Sequence, residues 1–145
     1  MLLINATKGP SQIHGVGLIA REFIAEGTRI WELNPKFDVI LCPSDLESLS
    51  EAAKNQLLFY CYFDFERQLY ILSSDDERFT NHSDSPNTVD HDQEVATIAI
   101  VDIYPGDEIT WNYRAMAPWH FDTAQPNLLP HQYPITHPSR NPAQK

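Results

Sequence analysis

The apolar residues of this chain come in short runs, and a turn signal ends each run before it can grow into a long helix. Val16 to Ala20, Thr28 to Leu33 and Phe37 to Leu41 are five or six residues long, with Glu26-Gly27 and Asn34-Pro35 between them. Runs of this length suit strands, because β-branched and aromatic side chains pack well on a pleated surface while Gly and Pro interrupt the ladder. Val95 to Val101 is the clearest, with Val95, Ile98, Ile100 and Val101 β-branched and Thr97 among them. Tyr60 to Phe65 and Gln68 to Leu72 read as two further strands around a tight Glu66-Arg67 connection. One helix is expected: Ser44 caps, Glu47 completes an S-x-x-E box, and Leu46, Leu49, Ala53 and Leu57 recur at helical spacing, giving an amphipathic segment from Asp45 to Leu58. The pattern predicts a mostly β fold with one or two short helices.

At 145 residues the chain is long enough for one domain with a real core. Its charge is uneven. Residues 1–114 carry 19 acids against 8 bases, whereas the last 31 residues carry one acid, two bases and six of the eleven prolines. From Pro126 onward the Pro, Gln, Asn and His content predicts an extended tail. Trp119 and Phe121 are costly to leave in water, so the segment through Asp122 is expected to fold back on the body. The expected organisation is a domain over 1–122, with a motif core at 8–114 and a closing segment at 115–122, followed by a tail at 123–145. A net charge of -10 repels phosphates, so direct nucleic-acid binding is not expected and a cationic partner is.

Two cysteines, Cys42 and Cys61, cannot build a disulfide framework or a four-thiolate zinc site, and both are expected to be core or half-buried thiols of a reduced compartment. No basic leader opens the chain and no apolar run reaches the roughly 18 residues of a membrane span. A soluble cytoplasmic protein without membrane partners is expected; a homo-oligomer is left open.

Three segments differ from generic strand or loop. His14-Gly15-Val16-Gly17 brings two glycines one residue apart to the start of a strand, where backbone can approach a ligand closely. A permissive turn is the bland alternative. Arg78-Phe79-Thr80-Asn81-His82-Ser83-Asp84-Ser85-Pro86-Asn87 holds an amide and an imidazole side by side, able to donate to and accept from a polar ligand, although the same residue types also make surface turns. Asp102 to Tyr113 contains a Pro105-Gly106 turn and then a short run ending in Trp111, Asn112 and Tyr113, which a hairpin with core aromatics would equally explain.

Taken together and in order, these segments resemble the SET-domain family of protein-lysine methyltransferases over residues 8 to 114. His14-Gly15-Val16-Gly17-Leu18 is similar to the opening G-x-G motif. Arg78 to Asn87 matches R-F-x-N-H-S-x-x-P-N at every named position, and Glu108-Ile109-Thr110-Trp111-Asn112-Tyr113 is similar to E-L-T-x-D-Y. The resemblance implies a β-clip-like fold of short sheets with a C-terminal pseudoknot, S-adenosylmethionine as cofactor without a metal, and a basic protein or peptide carrying the target lysine as partner. It further implies that Gly15, Val16 and Gly17 meet the cofactor through backbone, that Asn81 and His82 hold its amino-acid and adenine portions, and that Tyr113 is the catalytic tyrosine. By the same resemblance Tyr60, Tyr62 or both line the lysine channel, pointing the same way by strand alternation, and so does Trp111; a core role for each tyrosine stays open.

The chain departs from the family at Asn112, which stands where an acid is usual, and at Trp111, which stands where phenylalanine or tyrosine is usual. The number of methyl groups added stays open for that reason. With no cysteine-rich zinc segment behind the motifs, Trp119 or Phe121 is the candidate to stack on adenine, against the alternative of a simple C-terminal anchor. Two other readings compete: a catalytically silent module of this fold that holds a basic peptide, and a metal enzyme using His82, Asp90, His91 and Asp92, which lacks any tight ligand spacing. Asp75, Asp76, Glu77, Asp84, Asp90, Asp92 and Glu94 flank the Asn-His motif and are candidates for steering a lysine-rich segment.

Overall fold

A computed structural model describes residues 1–64, 67–91 and 95–116. The short runs do become strands. They are β1 (Ala6–Pro10), β2 (Val16–Ala20), β3 (Arg29–Glu32), β4 (Val39–Leu41), β5 (Tyr62–Asp64), β6 (Leu69–Leu72), β7 (Asn81–His82), β8 (Thr88–His91), β9 (Ala96–Ala99) and β10 (Glu108–Trp111). They form three small sheets, in the orders β1-β2-β10-β7, β3-β9-β8 and β4-β6-β5. The helices are α1 (Pro43–Glu47), α2 (Glu51–Leu58) and α3 (Tyr113–Met116), with a 3-10 turn over Asp76–Phe79. The fold is the mostly β arrangement of short sheets that the sequence predicts. Among the described residues no helix is long and apolar enough to cross a membrane.

The expected single helix from Asp45 to Leu58 is two. Asp45 sits at the third position of α1 and its carboxylate accepts the Cys42 N–H at 2.7 Å, so Cys42 takes the cap position expected of Ser44. Ser50 then caps α2 by accepting the Ala53 N–H at 3.2 Å, which stops one helix and starts another. A serine hydroxyl that competes for backbone donors is the physical reason for the break. Cys42 is exposed rather than half-buried, while burial pushes the Cys61 thiol up to about 12.

The core draws on all three sheets, with Leu18 and Ala20 from β2, Ile109 from β10, Ile30 and Trp31 from β3, Ala99 from β9 and Ile71 from β6, joined by Ile24 and Ile103. The last two form an isolated antiparallel bridge that ties the loops after β2 and β9 together. Burying each large aliphatic of this set stabilises the fold by roughly 1.5–3 kcal/mol relative to exposure. The Pro105-Gly106 turn then delivers β10 to the centre of the first sheet. Gly106 adopts φ 97, which side chains rarely tolerate, and its N–H donates to the Ala20 carbonyl at 2.9 Å. From there β10 runs antiparallel to β2, with Ile109 opposite Leu18, and parallel to β7, with Thr110 opposite Asn81 and Trp111 opposite His82.

Candidate active site

The three sequence segments converge on one sheet. β2 brings Gly17 and its neighbours, β7 is the Asn-His pair itself, and β10 lies between them and leads directly to Tyr113. Asn81 and His82 are therefore strand residues and not a surface turn. What holds a two-residue strand in place is largely side-chain chemistry. Asn87 acts as a peptide mimic on the edge of β10: its Nδ2 donates to the Glu108 carbonyl at 2.9 Å and its Oδ1 accepts the Thr110 N–H at 2.7 Å. The buried Thr88 hydroxyl donates to the Thr110 carbonyl at 2.8 Å. The last residue of the Asn-His motif is thus a clamp on the closing strand, a role its residue type alone did not reveal.

The two glycines have different physical reasons. Gly15 is exposed, has φ 51, and a Cβ built on it meets nothing within 4 Å, so its requirement is backbone conformation. Gly17 is buried, and a Cβ there falls 2.3 Å from Glu108 Oε1 and 2.6 Å from the carboxyl carbon. Its missing side chain makes room for a glutamate of β10. Between them Val16 is 44% exposed.

Asn81 is the hub of this arrangement. Its Nδ2 lies 3.1 Å from Ser11 Oγ, 3.1 Å from the His14 carbonyl, 3.0 Å from the Val16 carbonyl and 2.8 Å from Glu108 Oε1. The amide nitrogen is committed to these acceptors, and its Oδ1 takes no hydrogen bond among the described residues, which keeps an acceptor for a donor group. Part of the G-x-G backbone expected to meet a cofactor is therefore engaged by Asn81.

His82 is also engaged inside the protein. Its Nδ1 accepts the Tyr113 N–H at 3.1 Å, which puts the ring proton of the neutral tautomer on Nε2, 3.2 Å from Asp84 Oδ1. The imidazole sits beside the Tyr113 ring, 5.4 Å between centroids, and Trp111 lies on the same ring at 5.6 Å. The Tyr113 hydroxyl donates to the Thr80 carbonyl. Burial, and after it the Glu77 charge, holds this phenol well above the usual tyrosine range. Asn112 accepts the Arg114 N–H at 3.0 Å and so caps α3; asparagine caps as well as aspartate, so the fold keeps this feature without the acid.

Tyr60 and Tyr62 do not behave as an alternating pair. β5 begins only at Tyr62, and Tyr60 lies in the turn after α2, so strand alternation does not relate them. Tyr62 packs edge-on to Trp31 and has a buried hydroxyl without a hydrogen-bond partner among the described residues, whereas Tyr60 packs on Phe79 with Arg78 near its face. Glu77 was expected among surface acids. Its carboxyl instead accepts from the buried Ser73 hydroxyl, and burial pushes it up to about 7. Its charge acts on both the Tyr62 and Tyr113 hydroxyls. Several other steering candidates are committed as well: Asp75 accepts the Leu2 and Glu77 N–H groups, Asp76 pairs with Lys8, and Asp84 pairs with Arg114 at 2.6 Å. Asp90 and His91 lie in β8, opposite Thr97 and Ala96 of β9. Asp92, Glu94, Trp119 and Phe121, with the proposed closing segment and tail beyond residue 116, lie outside the described residues.

The SET domain family profile matches residues 15–114. No curated protein matches the chain significantly. Among solved structures, a Plasmodium falciparum protein described as a candidate histone methyltransferase is similar at 22% identity, with a TM-score of 0.54 over 77% of this chain and 95% of that one. A Polycomb Repressive Complex 2 chain from Chaetomium thermophilum, in an autoinhibited conformation bound to S-adenosylmethionine, aligns at 22% identity and a TM-score of 0.60, covering 79% of this chain but 16% of that one. A separate structure of the same complex, apo and with two mutations in Ezh2, reaches a TM-score of 0.62 at 21% identity, covering 78% of this chain and 15% of that one. The profile spans most of the chain and contains the strands that bring Gly17, Asn81 and Tyr113 together: this protein belongs to the SET-domain family.

Proposed function

We propose that the protein transfers the methyl group of S-adenosylmethionine to the side-chain amine of a lysine in a basic protein. The observation that carries this reading is the register of β2, β10 and β7, which sets Asn81 and His82 side by side on the sheet edge next to the end of β10, from which Tyr113 follows and donates its N–H to His82. The insertion of β10 between β2 and β7 supports the pseudoknot expected of the family.

The residues present fit the cofactor. Among the described residues the Asn81 amide oxygen takes no hydrogen bond and is open to an ammonium donor, and Gly15 leaves open space beside exposed backbone. These groups, with Val16, Gly17 and His82, are the ones that would hold it. S-adenosylmethionine, when bound, supplies a methyl group on a positively charged sulfur. The protein's share is alignment, exclusion of water and control of the amine's proton. A lysine near its ordinary value of about 10.4 is an ammonium at neutral pH and cannot attack, and an apolar channel favours its neutral form. Tyr113 serves as an orienting group rather than a phenolate base. Its proton is committed to the Thr80 carbonyl and its acidity is suppressed, which leaves the phenol oxygen as an acceptor for the amine.

Incubation with methyl-labelled S-adenosylmethionine and a panel of basic proteins tests this, with Tyr113→Phe as the control. Label on a lysine-rich protein that disappears in the control is the expected result. Absence of label from every protein in the panel, with the cofactor bound, overturns the transferase reading in favour of a silent peptide-binding module.

A further inference from the structure

The carboxylate of Glu108 occupies the space left by Gly17 and meets two groups drawn from distant parts of the chain. Ser11 Oγ lies 2.8 Å from each of its oxygens, and Asn81 Nδ2 lies 2.8 Å from Oε1. Ser11 Oγ in turn accepts the Ile13 N–H at 2.8 Å and the His14 N–H at 3.0 Å, shaping the turn that carries Gly15. We infer that Glu108 is a positioning residue: it fixes the sense of the Asn81 amide and the shape of the Ser11 to Gly15 turn, and Gly17 is glycine because this carboxylate fills its side-chain space. The inference rests on the functional reading above for what the locked amide is used for, but not for the lock itself.

The chemistry follows from donor and acceptor counts. A carboxylate offers only acceptors, so the atom of Asn81 turned toward it must be the NH2 group, and the amide oxygen must face the other way. A glutamine at 108 offers one donor end and loses that discrimination. Steric logic points the same way. A free glutamate would swing aside for a methyl group at 17, since its carboxyl is the far end of a flexible side chain. Here the swing breaks contacts to Ser11 and Asn81 together, so a methyl group at 17 and the lock at 108 exclude one another.

Three measurements test this. In the unliganded protein the Asn81 side-chain NH2 protons are expected to be protected from solvent exchange by NMR, and Glu108→Gln is expected to lower that protection at least tenfold while the β10 amides stay protected. Titration calorimetry with S-adenosylmethionine is expected to show about tenfold weaker binding for Glu108→Gln. Thermal unfolding of Gly17→Ala, Glu108→Ala and the double variant is expected to be non-additive, with Gly17→Ala more harmful in the parent than beside Glu108→Ala, where only the 3.1 Å approach to Ser11 Cβ remains. Equal cost of Gly17→Ala in both backgrounds, or unchanged Asn81 exchange in Glu108→Gln, overturns the inference. Failure of the parent to bind S-adenosylmethionine overturns the functional reading, while the exchange and unfolding arms still decide the role of Glu108.

Discussion

The β3-β9-β8 sheet and the β1-β2-β10-β7 sheet are built by different forces. The first places Ile30, Trp31, Ala96 and Ala99 in the core, and its strands follow one another through ordinary backbone ladders with a bulge between Arg29 and Trp31. The second has an apolar seam at Leu18 and Ile109, where β10 meets β2 over two residue pairs, and its β7 edge, also two pairs long, has no such apolar seam. There Asn81, Asn87, Thr88 and Glu108 take over, bonding groups 21 to 97 positions away. The comparison teaches that apolar burial fixes where this sheet lies, whereas satisfied polar contacts fix how its edge presents functional groups.

The largest effect is expected at the polar edge and on chemistry. Tyr113→Phe deletes the hydroxyl that donates to Thr80 while keeping the ring beside His82 and Trp111. Turnover under saturating cofactor is expected to fall about 10²- to 10⁴-fold, the range of a lost positioned catalytic group, with cofactor affinity by calorimetry changed only a few-fold. A variant that keeps its turnover removes Tyr113 from the mechanism.

At the apolar seam, Ile109→Ala is expected to cost about 2–5 kcal/mol in urea unfolding, because Ile109 is 1% exposed and its neighbours cannot close the cavity fully. A loss under about 1 kcal/mol would mean that the polar edge, and not this seam, places β10.

Glu77 gives a pH-dependent contrast. Its carboxyl is raised in the fold to about 7 from an ordinary 4.5, so the folded state holds its proton more tightly than the unfolded chain. The stability this contributes is fully present below pH 4.5 and is lost as the pH rises through 7. Relative to the parent, Glu77→Gln is therefore expected to gain stability between pH 4.5 and 7 and to hold that gain above it, by about 3 kcal/mol at most. Denaturant unfolding at pH 4, 6 and 8 checks the sign, and a constant difference across the three values refutes it.

The smallest effect belongs to the solvent-facing pair. Arg114 and Asp84 are 42% and 71% exposed in their side chains, so Arg114→Ala is expected to change stability by less than about 1 kcal/mol despite the 2.6 Å contact. A larger loss, measured by the same unfolding, would show that the Asp84 to His82 contact depends on this arginine.

Strand positions were legible because side-chain alternation and turn residues are local. Val16 to Ala20 became β2 with the same ends, and Pro105-Gly106 became the turn before β10. The helix break at Ser50 was less so, since a serine that caps and a serine that merely faces water look alike in sequence. The aromatic run from Tyr60 implies a shared direction for Tyr60 and Tyr62, but the strand begins two residues later, at Tyr62. Glu77 was grouped with surface acids because charge alone does not tell a buried carboxyl from a solvated one; only its contact with Ser73 does.

By itself the sequence determined the class of fold, the position of several of its strands and, through three motifs, the residues that meet at the candidate site. Those are properties of local pattern and residue type. The tertiary structure alone decided what each residue is bonded to: that Gly17 makes room for Glu108, that the nitrogen of Asn81 and not its oxygen faces inward, and that His82 spends one ring nitrogen on Tyr113. These contacts join segments up to 97 positions apart, and no local preference encodes which distant partner fills a given space.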